Sequence, residues 1–372
     1  MEAIDHFCML RDEVRCGAYE RAIRRVVRPG DVVVDLGAGT GILSLMAARA
    51  GAAKVYAIER DPIGLLAREI VRANGLEDRI EVILADAATV RLPRRADVLV
   101  TETVGSGVGV GEGIHTLMRE VAPRLLRKGA KRIPSRMEVL GAPVADREAE
   151  IDDRSWEDVG GFDFSPARPG WRNRALHRPA GKIRNLGASR RLFSLPLDGG
   201  PSTRMPKEGT VEFRIDRGGR LGGVMAWFRL DLAPGVALES KDTSSWSICL
   251  IPFHPATDVR NGDRLRTWIH VSDAGAVTWR MTLRRAGRRP VEAMGSEALA
   301  HPAGMPRAEE ARPALDEEER RELSVLLQAD GRRTLRAIAR GHARRSNLRY
   351  EAALDEVLGL LAKRRRKVDW LR

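Results

Sequence analysis

Val32-Val-Val-Asp-Leu-Gly-Ala-Gly-Thr-Gly-Ile-Leu-Ser44 is the stretch that decides how this chain folds. Val32 to Val34 are apolar and β-branched, as a buried strand of a parallel sheet requires. Gly37, Gly39 and Gly41 make a turn without Cβ atoms, so a ligand can lie against the backbone. A second strand, Lys54-Val-Tyr-Ala-Ile58, ends in Glu59, an acid placed to accept hydrogen bonds from both hydroxyls of a ribose. The spacing G-x-G-x-G is not the dinucleotide G-x-G-x-x-G, and Asp35 stands two residues before the first glycine. Strand, turn, helix start and second-strand acid in this order predict a nucleoside site. The alternatives are a dinucleotide enzyme or a nucleoside fold without catalysis.

The 372 residues correspond to two or three domains at about 150 residues each, and 43% of them are hydrophobic, enough for sizeable cores. No apolar run approaches the length of a membrane span, and no hydrophobic segment marks a signal peptide. Cys8, Cys16 and Cys249 are scattered, with no C-x-x-C, which fits a reducing cytoplasm and argues against a structural zinc site. A cytoplasmic chain with no membrane partner and no metal is the expectation. The net charge is +13, and Gly331–Arg372 holds 13 Lys or Arg against Glu351, Asp355, Glu356 and Asp369. Such a segment either docks an acidic partner, peptide or nucleic acid, or is a solvated basic face in an Arg-rich chain. Composition favours the plainer, solvated face.

Residues 1–135 alternate strand and helix patterns. Strands are expected at Asp31–Leu36, Lys54–Ile58, Ile80–Leu84 and Val98–Glu102, with helices such as Ile42–Ala50 and Pro62–Asn74 between them. This predicts an α/β, Rossmann-like doubly wound parallel sheet. Arg132-Ile-Pro-Ser135 marks a boundary. From 136 to 302 the period changes to two: Val224, Ala226, Phe228, Leu230 and Leu232 share one face, as do Val277, Trp279, Met281 and Leu283. An antiparallel β-barrel or sandwich is expected, interrupted at about 152–190 by a Pro-, Arg- and Gly-rich insertion. His301–Pro313 reads as a linker. Asp316–Gln328, Arg333–Arg340 and Glu351–Lys363 read as three short helices of a C-terminal module at 303–372.

Over residues 5–285 the chain resembles the protein arginine methyltransferases, a family of class I S-adenosylmethionine-dependent methyltransferases. His6-Phe-Cys-Met-Leu-Arg-Asp-Glu-Val-Arg15, with Tyr19 four residues on, is similar to the family's H-x-x-M-L-x-D-x-V-R-x-x-x-Y segment. Val34–Ser44 and Ala50–Glu59 resemble its cofactor motif. Thr101-Glu-Thr-Val-Gly105 resembles the start of its double-glutamate loop, closing at Glu112. Trp156-Glu-Asp-Val-Gly-Gly-Phe-Asp163 resembles the entry to its dimerisation arm, and Ser244-Ser-Trp246 stands in place of its Thr-His-Trp loop. The glycine alternation between the glutamates, and Ser245 in place of histidine, depart from the common pattern and leave the substrate and product type open. The C-terminal helices weakly resemble winged-helix modules that hold a leader peptide beside a modifying enzyme.

The resemblance implies S-adenosylmethionine as cofactor, an arginine-bearing peptide or protein as substrate, a β-barrel domain with a helical dimerisation arm, and a homodimer. Glu102 and Glu112 become the catalytic pair. A guanidinium stays charged, with a pKa above about 12, so two carboxylates are needed to fix its plane and concentrate electron density on one nitrogen. One of them also helps take up the released proton. On the cofactor side stand His6, Met9, Arg15 (toward the methionyl carboxylate), Asp35, Gly37, Gly39, Gly41, Glu59, Asp86 and Ala87. Asp12, Tyr19, Ser245 and Trp246 support the substrate side. The glycine path from Gly105 to Gly113 is costly in entropy and reads as a lid that orders on substrate binding. Two rival functions remain: methylation of a small guanidino or amino natural product, and a non-catalytic cofactor-binding scaffold whose C-terminal module binds nucleic acid. Nucleic acid is the less favoured partner.

Overall fold

Strands β1 (Val32–Leu36), β2 (Lys54–Glu59), β3 (Ile80–Leu84), β4 (Ala96–Thr101) and β5 (Leu126–Ile133) form a parallel sheet in the order β3-β2-β1-β4-β5 in the computed structural model, which describes residues 3–105, 108–146, 154–168, 172, 174–178, 183–297, 317–329 and 332–363. Every residue of β1 and β4 is buried, which explains why both strands are mostly apolar, with Asp35, Asp97 and Thr101 as the buried polar exceptions. The strand order reverses between β1 and β4, so a crevice opens at their carboxyl ends. Helices α1 (Ala3–Leu10) and α2 (Glu13–Val26) precede the sheet; α3 (Ile42–Arg49) and α4 (Ile63–Ala73) cross between its strands. On α2, Ala18, Tyr19, Ala22, Ile23 and Val26 recur every three or four residues and are buried.

β5 was not expected. Arg127, Lys128, Lys131 and Arg132 give it a polar reading. It is the edge strand of the sheet, where one face meets water and charge is tolerated.

The predicted β domain consists of two antiparallel sheets. One runs β7 (Leu176–Arg178), β13 (Ile248–Val259), β11 (Gly219–Ala233), β6 (Arg136–Ala145) and β8 (Arg184–Asn185), with β12 (Val236–Glu239) on β11 and β9 (Arg190–Pro196) on β6. The other runs β10 (Lys207–Arg214), β14 (Arg264–Val271), β15 (Val277–Arg284) and β16 (Val291–Ser296). The period-two residues from Val224 to Leu232 and from Val277 to Leu283 are all buried, in a core continuous with that of the parallel sheet. The boundary expected near Ser135 falls between β5 and β6, inside one packed unit, Met1–Gly304.

Of the insertion at 152–190, residues 152–153, 169–171, 173 and 179–182 lie outside the described residues. The described part holds a short 3-10 turn, Ser165–Ala167, and exposes Val159, Phe162 and Phe164. The second unit, Met305–Arg372, contains helices Glu317–Leu326, Leu335–Ser346 and Tyr350–Lys363 around Val325, Ile338 and Val357. No strand occurs among its described residues, so its likeness to a winged helix rests on helices alone. No helix of the described residues is long and apolar enough to cross a membrane.

Candidate active site

β1 runs into a turn in which Gly37, Gly39 and Gly41 all have positive φ. The N–H groups of Gly37 and Ala38 donate to the Ile58 carbonyl at 2.9 and 3.1 Å, tying the turn to the end of β2. Glu59 is buried there. Its Oε2 accepts from the Gly39 N–H at 2.9 Å and its Oε1 from the Asp61 N–H at 2.8 Å, so both oxygens are oriented while each keeps a lone pair. At Gly39, with φ +54°, a Cβ would stand 3.0 Å from Cε1 of His6. The ring of His6 therefore covers the turn. Burial lowers the His6 pKa, although Glu59 pulls it upward.

Asp35, fully buried at the end of β1, accepts from the Ser44 hydroxyl at 2.7 Å through Oδ2, while Oδ1 has no hydrogen-bond partner among the described residues. Burial pushes its carboxyl up to about 7, opposed by Ser44 and assisted by Glu59. An acceptor in this state suits a cationic donor. Ser44 is a partner that sequence reading missed; its signal is its place on the first turn of α3. Asp86 lies exposed beyond β3, its Oδ1 accepting from the Ala88 N–H at 2.9 Å, and the neighbouring Ala87 packs against the core.

Glu102 is the first residue past β4. Tyr19, fully buried, donates its hydroxyl to the Thr101 carbonyl at 3.1 Å, and the Thr101 hydroxyl donates to the Leu36 carbonyl at 2.6 Å. These two bonds pin the end of β4 to α2 and β1 and so aim Glu102. Thr101 was also missed; only its place beside Glu102 could have flagged it. The Glu102 side chain is 10% exposed, and its Oε2 accepts from Nη1 of Arg15, itself buried. Arg15 Nη2 donates to the Met9 carbonyl at 3.0 Å, and its buried Nε has no partner among the described residues. Burial pushes the Glu102 carboxyl up to about 8; Arg15 works against this, and Glu112, Asp35 and Asp12 add to it. The side chain of Glu112 reaches back across Gly105, where a Cβ would meet its Cγ at 3.5 Å. Solvent reaches Glu112 at this rim, yet partial desolvation raises its carboxyl too, with Arg60 opposing.

The loop between the glutamates is less open than its glycines suggest. Ser106 and Gly107 lie outside the described residues, but Val108 and Val110 are buried. At Gly109, with φ +80°, a Cβ would meet the Met137 sulfur and Phe228 Cδ1, each at 2.9 Å. The far half of the expected lid is already packed against the β sheets.

Asp12 caps α2, its Oδ1 accepting from the Arg15 N–H at 3.0 Å. Its Oδ2 accepts from the N–H groups of Ser244 and Ser245 at 3.0 and 2.9 Å and from the Ser245 hydroxyl at 2.7 Å. One carboxylate thus joins the helix bearing Arg15 to the loop after β12. Burial works to raise this carboxyl, yet the hydrogen bonds from Arg15, Ser245 and Ser244 outweigh it and hold it below the usual carboxylate range. Because the folded pKa is depressed, the stabilisation is present above the unfolded value, near 3.9, and is lost as pH falls through the folded one. Asp12→Asn is expected to cost about 2–4 kcal/mol at pH 7, since an amide accepts with one oxygen only. The deficit is expected to shrink in acid; a denaturant series showing the same deficit at pH 7 and pH 3 contradicts this. Trp246, in the same loop, is buried with its ring edge-on to Phe228, centroids 4.8 Å apart.

Residues 15–122 match the family model described as the TRM5/TYW2 methyltransferase domain. An arginine N(omega)-methyltransferase of Streptomyces achromogenes subsp. streptozoticus is 29% identical, over 72% of this chain and 76% of its own. Protein arginine N-methyltransferase 6 of Danio rerio is 38% identical, but over 42% of this chain and 45% of its own. The fold is that of the Trypanosoma brucei PRMT1 enzyme-prozyme complex with AdoHcy (TM-score 0.72, 21% identity, 78% of this chain and 97% of that one). Arabidopsis thaliana protein arginine methyltransferase 10 superposes similarly, with a TM-score of 0.70 at 20% identity, over 79% of this chain and 97% of its own. In sequence the chain is thus similar to arginine N-methyltransferases, and in fold to solved members of that group.

Proposed function

We propose that this protein transfers a methyl group from S-adenosylmethionine to a guanidino nitrogen of arginine in a peptide or protein. The observation that carries this is Glu102: a buried carboxylate at the sheet's carboxyl end that already holds a guanidinium, that of Arg15, with Glu112 close enough to raise its pKa.

The residues fit the cofactor. Glu59 keeps lone pairs for two ribose hydroxyls, Asp35 Oδ1 suits an ammonium, and Arg15 Nε suits a carboxylate. Gly37, Gly39 and Gly41 allow close approach to the backbone; Asp86 and Ala87 would hold the adenine, and His6, whose ring covers the turn, and Met9 would line the sulfonium end. Bound S-adenosylmethionine supplies a methyl group on a positively charged sulfur. Glu102 and Glu112 fork onto the substrate guanidinium, hold its plane and polarise it toward one terminal nitrogen. With its carboxyl raised to about 8, Glu102 is a stronger base than an exposed glutamate, and it takes the proton the methylated nitrogen releases. Tyr19 stays a neutral donor, because burial raises its pKa well above the ordinary value, and it keeps β4 in place. Asp12 and Ser245 position Arg15, and Trp246 backs the loop from the core.

The second acceptor class to test is free arginine or a related small guanidino compound, since the name of the Streptomyces relative specifies arginine and not protein. Labelled-methyl transfer into arginine peptides, lysate proteins and free L-arginine decides between them. Label in peptides and proteins supports the main reading; label confined to free arginine replaces it with the second.

The reading extends to a cytoplasmic protein and to a homodimer, the dimer supported by the exposed apolar tip Val159, Phe162 and Phe164. Sedimentation is expected at twice the monomer mass, falling to the monomer in Phe162→Glu/Phe164→Glu; a monomeric wild type removes the dimer from the reading.

A further inference from the structure

The helix Leu335–Ser346 of the second unit presents two unlike faces. Ile338 and His342 are buried, and His342 Nε2 is 2.8 Å from Glu356 Oε2. Arg336, Arg340 and Arg344 follow one another at i, i+4 and i+8 on the opposite side, all exposed, with no carboxylate partner among the described residues. They line a shallow cleft of about 810 Å³ whose remaining wall is Ala343, Asn347, Leu348 and Tyr350. Like charges at i, i+4 on a helix repel one another, whereas an acid at that spacing would stabilise the helix. Here that whole face is cationic.

We infer that this cleft docks an extended acidic segment of the peptide substrate, with Asp or Glu at alternate positions. The inference rests on the peptide-methylating reading above. Charge and spacing both point to this occupant. Successive arginines rise about 6 Å along the helix, and alternate residues of an extended peptide are about 6.6 Å apart. Three acids two residues apart therefore match three arginines over about 12 Å. The intervening apolar side chains meet Leu348, Ala343 and Tyr350, as in other extended-peptide grooves. A nucleic-acid strand fits less well: it needs a longer cationic track and stacking rings. Here Tyr350 begins a helix that carries Glu351 next to it and Asp355 five residues on. Because the cleft and the candidate active site lie on one chain, a substrate held at the first reaches the second at raised effective concentration.

The test uses the full-length protein and a fluorescent nonapeptide with a Glu-Leu-Glu-Leu-Glu core, against its Gln counterpart and an oligo-dT of similar charge. The acidic peptide is expected to bind, weakening with salt, and to lose at least tenfold in Arg336→Glu/Arg340→Glu/Arg344→Glu. A Lys-Leu-Lys-Leu-Lys peptide is expected to bind that variant and not the wild type, which separates charge recognition from loss of folding. Unchanged binding of the acidic peptide by the variant overturns the inference, as does tighter binding of oligo-dT than of the peptide. In methyl transfer, the variant is expected to raise KM at least tenfold for an arginine peptide carrying the acidic core, with kcat and short arginine peptides unaffected. Peptide binding without methyl transfer to any peptide refutes the proposed function and leaves the docking cleft standing.

Discussion

Glu102→Gln is expected to lower kcat about 1,000-fold while leaving the affinity for S-adenosylhomocysteine within about threefold. The substitution keeps the shape of the side chain. It removes the charge that matches a guanidinium and the base that accepts its proton. Arg15 also loses its ionic partner, so cofactor affinity is the control that separates a chemical loss from a disordered site. The wild type adds a second signature. Glu102 must be ionised to bind a guanidinium, and its carboxyl is raised to about 8. kcat/KM is therefore expected to fall about tenfold per pH unit below that value and to level off above it. The substrate guanidinium stays protonated throughout, so this limb belongs to the enzyme. A variant within tenfold of wild type, or a profile flat from pH 6 to pH 9, removes Glu102 from the mechanism.

Glu59→Ala is expected to weaken S-adenosylhomocysteine binding at least 100-fold by calorimetry. Two hydroxyl donors on one carboxylate are each worth about 1.5–3 kcal/mol, so the loss of both exceeds that of any single neutral hydrogen bond in the site. The same substitution frees the N–H groups of Gly39 and Asp61, which loosens the turn as well. A 2′-deoxy analogue isolates the direct part: it is expected to bind the wild type about 10-fold less well and the variant no worse than the parent ligand does. Equal loss for both ligands on both proteins means that Glu59 shapes the turn and does not touch the ribose.

The proposed donor half of the site was legible because its pattern is local. A strand, three glycines and an acid at the next strand end are set by residues 32–59, and the structure brings them together as read. The acceptor half was legible only through its motifs. Nothing in the spacing of Thr101–Glu112 says that Glu102 pairs with Arg15, since that contact spans 87 positions. The bond of Tyr19 to the Thr101 carbonyl was hidden for the same reason, and so was the Asp12 bond to Ser245. β5 escaped because an edge strand rich in Lys and Arg lacks the apolar pattern that announces a buried one. The loop glycines misled in the other direction. Gly109 is glycine because Met137 and Phe228 crowd it, a packing demand that sequence cannot distinguish from a flexible hinge.

The bond between Asp12 and Ser245 also sets a schedule. The partners are 233 positions apart, so on a ribosome adding about 5–20 residues per second the cap of α2 waits roughly 12–47 s for its second half to be synthesised. During that interval the parallel sheet can assemble, but the helix bearing Arg15 lacks the loop that holds its start. Contacts this distant in the chain form late and slow the search for the native state. The start of the helix bearing Arg15 is thereby completed only once about two thirds of the chain has been made, so a half-made chain lacks the bond that fixes it.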